Sequence, residues 1–480
     1  MTIVSKRRGM LLAGVAAAAL TIHPANAQEA DRTAVLEQRV KQLEDALREV
    51  KGELEATKRQ QAASAAATAP GVPVTTGTVT AQAANGATPT PIQTASAQSA
   101  QTQPAGGSGF RVGNTTFKIS GFIKADAMVS DYSDGDTATN GLGRDFYLPQ
   151  FIPVDKTPGA GEGNDFDAHA KQTRLAISAE TPVGSKTLTA YVETDFQTSP
   201  GTQGSERTTN GYNLALRRAY IGYDGWVFGQ DWTVFQNTAS LPESADFIGV
   251  SEGTVFVRQM QVRVTRPLTR QLSFTFGLEN PETASITPTS PATVENDDDS
   301  LPDATAKLTF KPALGEFTLA GVVRKLEVNS AASNESTTGW GVSLAGKVPF
   351  GANGRHDIRF MISHGSGVGR YVGVNFAPDV IAAPQGLETV DVTAGFAALH
   401  FGLTDKLRTN LMYSFQDVDY PSGLAPATAN EAASSYAINL FYSPIKAFDL
   451  GVEYRHGKRE LLNGDSGKLD RLHFVAKHAF

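Results

Sequence analysis

Apolar and polar residues alternate along short segments in most of the chain, from Phe110 to the last residue, Phe480. Successive side chains of a β-strand point to opposite faces, so this alternation predicts strands with one apolar and one polar face. Sixteen segments show the pattern. They are residues 117–130, 169–181, 186–197, 213–223, 225–235, 253–265, 270–280, 303–311, 315–326, 339–349, 354–364, 391–403, 405–417, 433–443, 447–458 and 469–480.

The connections between these segments alternate between short turns, such as 182–185, and long polar loops. The long loops are 131–168, 198–212, 236–252, 281–302, 327–338, 365–390, 418–432 and 459–468. Outer-membrane barrels have short periplasmic turns, long extracellular loops and an even number of strands, whereas a soluble β-sandwich has no reason to alternate in this way. We therefore predict an all-β chain: a transmembrane antiparallel β-barrel of about 16 strands over residues 110–480.

The first 109 residues have a different texture. Lys6, Arg7 and Arg8 precede a short apolar run and the small-residue pattern Ala25-Asn26-Ala27, which predicts a signal peptide over residues 1–27. Leucine and valine then recur at steps of four and three from Leu36 to Leu54, which predicts a periplasmic coiled-coil helix over 28–60, with a solitary amphipathic helix as the alternative. Residues 61–109 are rich in Ala, Thr, Gln, Pro and Ser, which is typical of a disordered linker.

Composition and charge exclude several functions. The chain has no cysteine and a formal net charge of −7, which becomes −7 − 3 = −10 once the signal peptide is removed. A negative chain is a poor partner for nucleic acid, which needs a basic face. The eight histidines lack metal-ligand spacing and no nucleophile–base arrangement is evident, so we predict a protein that is not an enzyme and needs no metal or cofactor.

Two loop sequences could suggest chemistry. The glycine-rich stretch 365–370 lacks the Lys-Ser/Thr ending of a phosphate-binding loop, and we interpret it as a flexible extracellular loop. Residues 297–299 are three consecutive aspartates. They could hold a divalent cation that bridges lipopolysaccharide, or they could simply form a solvated acidic loop.

The parity of each strand predicts which side chains line the lumen. A charge on the lipid face at mid-depth costs about 2–4 kcal/mol, so the charged parity is expected to face inward. The inward candidates are Arg174, Arg217, Arg263, Arg359, Arg408, Arg455, Glu193, Asp195 and Glu453, while the direction of Arg218 is ambiguous. A lumen with more arginines than acids favours anions, unless the arginines only neutralise those acids in a wall network.

Loop 236–252 and the strands around it resemble the general trimeric porins. The shared pattern includes Thr173 to Ser178 and Trp226 to Trp232. In that family the third long loop folds into the barrel and its acids face arginines of the wall. The resemblance therefore implies Arg174 and Arg217 as constriction arginines, opposed by Glu243 and Asp246.

A closer resemblance is to the DcaP-like porins. It rests on residues 117–126, 151–155, 229–233 and 253–259, and the chain ends on Phe480, like the sorting signal of outer-membrane barrels. The resemblance implies a signal peptide, an N-terminal coiled coil, a linker and a sixteen-stranded homotrimeric barrel in outer-membrane lipid and lipopolysaccharide. It also implies uptake of small anionic solutes such as dicarboxylates.

Two functions remain open at this point. Sixteen strands leave an aqueous lumen, whereas about 8 strands would be filled by side chains, which favours passive diffusion of small hydrophilic solutes. The alternative is a structural or adhesive outer-membrane barrel with a plugged lumen and a coiled-coil tether in the periplasm.

Overall fold

A computed structural model of the chain describes residues 109–138, 141–154, 164–197, 211–329 and 334–480. The predicted signal peptide and coiled coil, and all but the last residue of the predicted linker, lie outside these residues. Sixteen barrel strands occur in chain order: β1 (Thr115–Tyr132), β2 (Arg174–Val183), β3 (Lys186–Asp195), β4 (Ala215–Tyr223), β5 (Trp226–Trp232), β6 (Arg258–Pro267), β7 (Leu272–Glu279), β8 (Asp303–Phe310), β9 (Glu316–Asn329), β10 (Asn334–Phe350), β11 (His356–Ser366), β12 (Asp391–Gly402), β13 (Leu407–Asp419), β14 (Asn430–Ile445), β15 (Phe448–Leu461) and β16 (Ser466–Ala479).

Each strand pairs antiparallel with its neighbours in the chain, and β16 returns to pair with β1. Two short strands join the same sheet: Phe110–Val112 pairs with the start of β1, and Asn164–His169 continues β2 along the second half of β1. The chain end completes the closure, since Phe480 and Gly121 exchange two backbone hydrogen bonds of 3.1 Å. Closure leaves no free sheet edge among the sixteen strands, as a barrel in lipid requires. Every predicted strand overlaps an observed one in the same order, so the predicted fold and strand number are confirmed. No helix in the described part of the chain is long and apolar enough to cross a membrane.

Burial is inverted relative to a water-soluble protein. Large apolar side chains such as Ile177 and Leu344 are exposed on the outer surface, whereas Arg217, Arg359 and Glu453 are buried inside. Exposed apolar residues on a closed barrel are in contact with hydrocarbon when the barrel spans a bilayer. Several exposed aromatic residues lie at or near strand ends on the outer face, as in the girdles of membrane barrels; they include Tyr223, Trp226, Phe310, Phe350 and Tyr442.

Three long connections fold into the barrel. L3 (233–257) joins β5 to β6 and is buried over almost its whole length. L6 (367–390) joins β11 to β12, and its glycine-rich start is packed in the lumen, with Val368 and Tyr371 buried, rather than forming a free surface loop. L1 (133–173) joins β1 to β2, and its residues 141–154 also lie inside, with Tyr147 and Ile152 buried.

L6 also pairs with L4 (280–302), the connection between β7 and β8. Strands Ala284–Thr287 and Ser290–Glu295 of L4, with Val380–Ala383 and Gly386–Thr389 of L6, form a separate four-stranded sheet. The two loops join through a parallel pairing of Ser285 with Val380. This sheet holds two extracellular loops in one unit.

One side of the lumen is a hydrophobic core. Inward side chains of β9 to β14, such as Met361 and Phe396, pack against Phe235 and Leu241 of L3 and Phe376 of L6. We call this region the packed side. The opposite inner wall, formed by β1 to β6, carries charged residues instead, and we call it the charged side.

Candidate functional site in the barrel lumen

Arg217 and Arg218, adjacent on β4, both point into the lumen, although neighbours on a regular strand face opposite ways. A β-bulge explains this, because Glu193 of β3 pairs with Arg218 while the next residue of β3 pairs with Leu216, which leaves Arg217 as the extra residue. The Gln230 side chain donates to the carbonyl oxygens of Leu216 and Arg217, at 3.0 and 3.1 Å. The bulge is the reason that strand parity left Arg218 ambiguous.

Four of the predicted residues meet in one cluster on the charged side. Nε of Arg217 donates to Glu193 at 2.8 Å, and its Nη1 contacts Asp195. Arg174 lies 3.7 Å from Glu193 and 3.6 Å from Asp195. The cluster therefore orients two arginines with two acids of the neighbouring strand.

Arg263, also predicted, belongs to a second cluster beside the first. Its guanidinium lies 2.5 Å from Asp231 of β5, and Arg218 lies 2.5 Å from the other oxygen of the same carboxylate. Asp231 follows the inward parity of β5, so the rule that found the arginines also finds this acid.

The other predicted arginines are paired too. Arg359 lies 2.6 Å from Asp357, Arg408 lies 2.7 Å from Glu243 of L3 and 3.1 Å from Asp449, and Arg455 lies 2.9 Å from Glu453. Glu243 thus contacts β13, and the structure does not bring it together with Arg174 and Arg217. L3 is anchored to the wall by this pair.

Asp246 of L3 joins L3 to L1. Its carboxylate accepts the backbone N–H of Tyr147 at 2.7 Å and those of Ile248 and Gly249 at 3.1 Å. Burial by itself would raise the pKa of Asp246, but the positive charge of Arg455 and these N–H donors outweigh it, so the pKa is lowered below the ordinary 3.8. Asp246 is therefore ionised at neutral pH and holds the two loops together.

A cleft separates L3 from the charged side. The wall contributes Phe122, Lys124, Gln172 and Arg174, and L3 contributes Leu241, Pro242, Ser244, Asp246, Phe247 and Ile248. Arg174 and Asp246 line the same cleft, but no ion pair joins them, because each is engaged with other partners. Loop and wall also touch at this cleft, because Nζ of Lys124 donates to the carbonyl oxygen of Ala245 at 2.6 Å.

Several lumen cations were absent from the predicted set. Lys124 pairs with Asp126 at 2.9 Å, Arg324 with Asp303 at 3.0 Å, and Lys477 with Asp449 at 3.5 Å. Lys307 donates only to the backbone carbonyl of Gln236. All lie on the inward parity of their strands, so alternation alone could have found them. In the described residues, no group of three or more His, Asp or Glu side chains could hold a metal ion.

A closed sixteen-stranded barrel with an apolar outer face, a charged lumen and an inward third loop defines a porin-type channel of the outer membrane. The model of the DcaP outer membrane protein family matches residues 100–480. The chain therefore belongs to the DcaP outer membrane protein family.

One solved structure agrees with this assignment. The outer membrane channel DcaP of Acinetobacter baumannii is 28% identical, with a TM-score of 0.64, and the match covers 78% of this chain and 100% of that one. OmpT of Vibrio cholerae is 11% identical with a TM-score of 0.47, over 78% of this chain and 100% of that one. OmpF of Salmonella typhi is 12% identical with a TM-score of 0.47, over 76% and 98%. The last two are too distant to carry an argument. No individually curated protein matches the sequence significantly.

Proposed function

We propose that the barrel lets small hydrophilic solutes diffuse passively across the outer membrane and that it prefers anions, dicarboxylates among them. The carrying observation is the unequal exposure of the two partners in the lumen ion pairs. The side chains of Arg263, Arg408 and Lys347 are 21, 16 and 33% exposed, whereas their partners Asp231, Glu243 and Asp357 are 1, 1 and 7% exposed. Water in the lumen therefore meets the cations, and the acids lie behind them.

This arrangement favours anions even though the charges are paired. A solute senses the nearer charge more strongly, because the interaction falls with distance. Arg217 and Arg359 do not share the pattern, since they are as buried as their acids or more so. The preference thus rests on the exposed cations, above all Arg263, Arg408 and Lys347.

Like-charged neighbours point in the same direction. Lys124 lies directly opposite Lys477 across β1 and β16, and Lys347 lies opposite Arg359 across β10 and β11. Like charges in directly opposite positions destabilise a sheet. The presence of such pairs on the lumen face despite this cost supports a channel with a positively charged wall.

The test is single-channel recording of the purified full-length protein in a planar bilayer under a KCl gradient. We expect stepwise openings and a reversal potential that favours chloride. A reversal potential that favours potassium would contradict the anion preference and leave the channel intact.

The packed side gives a specific reason to keep the second candidate, a structural barrel with a plugged lumen. L3 and L6 fill the space beside β9 to β14 with buried apolar side chains. If the properly folded protein shows no conductance in the same recording, the plugged barrel replaces the channel.

Export and assembly complete the proposal. We expect cleavage after Ala27, a coiled coil over residues 28–60 that joins three chains, and a homotrimer that contacts lipopolysaccharide at its rim. Mass spectrometry of the mature N-terminus tests the cleavage, and mass spectrometry of the intact complex in detergent tests the homotrimer.

A further inference from the structure

Two arginines near the extracellular end of the barrel are held differently from the six predicted ones. Arg459 of β15 donates to Oδ1 of Asn430 at 2.8 Å and to the carbonyl oxygen of Ile152 in L1 at 2.9 Å. Arg471 of β16 donates to Ser130 Oγ at 2.8 Å, and through its Nη2 to the Tyr132 hydroxyl at 3.0 Å and to the carbonyl oxygen of Gly143 in L1 at 2.7 Å. All these acceptors are neutral.

No carboxylate among the described residues lies within ion-pair distance of either guanidinium. Asp167 interacts electrostatically with Arg471, but only at longer range, and its carboxylate is bound by Arg144 at 3.3 Å. Nη1 of Arg471 is buried without any hydrogen-bond partner. Two full positive charges are thus oriented by the wall and by L1 but are not neutralised.

The same L1 segment covers both arginines, since Gly143 and Ile152 lie at its two ends. Between them, Tyr147 packs on the guanidinium of Arg455, 4.7 Å from the ring centre, and its carbonyl oxygen accepts from Ser251. L1 therefore occupies this surface with two carbonyl oxygens and one aromatic ring. A carboxylate binds a guanidinium about twice as strongly as a neutral carbonyl does.

We propose that Arg459 and Arg471 form an anion-capture site at the extracellular mouth, and that residues 141–154 of L1 fill this site when no anion is bound. The ligand class is a small organic carboxylate on its way into the lumen. At each arginine a carboxylate oxygen replaces the carbonyl oxygen of L1, that of Ile152 at Arg459 or that of Gly143 at Arg471, so an arriving anion loosens L1. The inference rests on the proposed anion-conducting function and adds an entrance site, regulated by L1, upstream of the constriction.

The test uses the buried side chain of Leu148 as a reporter of L1. Because the chain has no cysteine, Leu148→Cys provides a single thiol, and its rate of reaction with a maleimide measures how often L1 opens. Labelling of the full-length protein is compared in sodium chloride and in sodium succinate at equal ionic strength. We expect succinate to accelerate it about fivefold, the ratio that separates a charged hydrogen bond from a neutral one.

Replacing both arginines should remove the response to succinate. In the L148C background, R459Q/R471Q should label faster in chloride, because L1 has lost two anchors, and should show no further acceleration in succinate. Arg266→Gln is the matched control, since Arg266 is exposed near the periplasmic end of β6 and the variant removes one positive charge elsewhere. Its succinate response should equal that of L148C alone.

Equal labelling of L148C in both salts would overturn the proposal, as would a full succinate response in R459Q/R471Q. Either result is separable from the proposed function, because the reversal potential of the same protein is measured independently. A chloride-preferring channel without a succinate effect would retain the function and remove only the entrance site.

Discussion

The packed side and the charged side of the lumen belong to one barrel but are built on opposite principles. On the packed side, inward residues such as Ala345, Met361 and Phe396 form an apolar core with L3 and L6. On the charged side, Arg174 and Arg263 instead form ion pairs with Glu193 and Asp231, acids of the neighbouring strands. The first resembles the interior of a soluble protein and fixes the loops, while the second leaves the cleft in which solutes would move. The contrast shows that L3 and L6 fill one side of the barrel interior and leave the other side polar.

The largest effect is expected at the buried ion pairs that attach L6 to the wall of the packed side. Arg324 lies 3.0 Å from Asp303 and 2.9 Å from Asp379 of L6, and all three side chains are fully buried. Arg324→Met removes the closest cation from two buried carboxylates. Among the described residues, Asp303 keeps only Arg370 at 3.6 Å and the Tyr371 hydroxyl, and Asp379 keeps only backbone N–H donors, so the attachment of L6 should be destabilised by about 3–5 kcal/mol. We expect L6 to become sensitive to protease in the folded barrel and the single-channel conductance to rise.

A rescue separates charge from volume in this experiment. The triple variant R324M/D303N/D379N also removes the negative charges of the two buried carboxylates and should regain part of the protease resistance. If R324M alone resists protease as the wild type does, L6 does not depend on the buried charges.

A cavity on the packed side should have a somewhat smaller effect. Met361 is 2% exposed and its sulfur lies 3.5 Å from the backbone nitrogen of Val255 in L3. Met361→Ala should cost about 2–5 kcal/mol, because it removes buried contacts on which L3 rests. Met260→Ala is the matched control, since Met260 lies on the outer face and is 58% exposed. Increased current noise in M361A but not in M260A would support the anchoring role, and equal behaviour would contradict it.

The contact between L1 and L3 comes next. Asp246→Asn removes a charged acceptor that binds three N–H groups and should cost about 1.5–3 kcal/mol of this contact. The lowered pKa of Asp246 sets the sign of the pH dependence: the ionised carboxylate stabilises the contact above the ordinary value of 3.8, and the contribution is lost as the pH falls through the lowered pKa. The wild type should therefore resemble D246N only in strong acid.

Labelling of the L148C reporter measures this effect. At neutral pH, D246N should label faster than its parent, whereas Asp391→Asn, at an exposed aspartate of β12, should not. A D246N rate equal to that of the parent would show that Asp246 does not hold L1.

The sequence predicts the strands of the barrel wall well and the paths of the loops inside the barrel poorly, and the reason is physical. Alternation with a period of two follows directly from strand geometry, so it predicts that Arg263, Arg359 and Glu453 face inward, and the structure buries the last two almost completely. A bulge breaks that period, so the direction of Arg218 could be settled only by the structure. The paths of L1 and L6 have no period to read, because their positions depend on contacts such as Arg324 with Asp379 that are distant in the chain.

The smallest effect is expected from an exposed ion pair at the periplasmic end of the charged side. Lys118 and Glu180 lie 3.0 Å apart with side chains 48 and 40% exposed, so water screens the pair and its contribution to stability should be only about 0–1 kcal/mol. Their effects on selectivity should nevertheless have opposite signs. Lys118→Gln should lower the preference for chloride slightly and Glu180→Gln should raise it slightly, while the double variant returns to the wild-type reversal potential. Arg263→Gln removes one of the exposed cations on which the proposed preference rests, so it should lower the preference for chloride more than Lys118→Gln does. Equal shifts would mean that selectivity is set at the Lys118 end of the lumen and not beside L3.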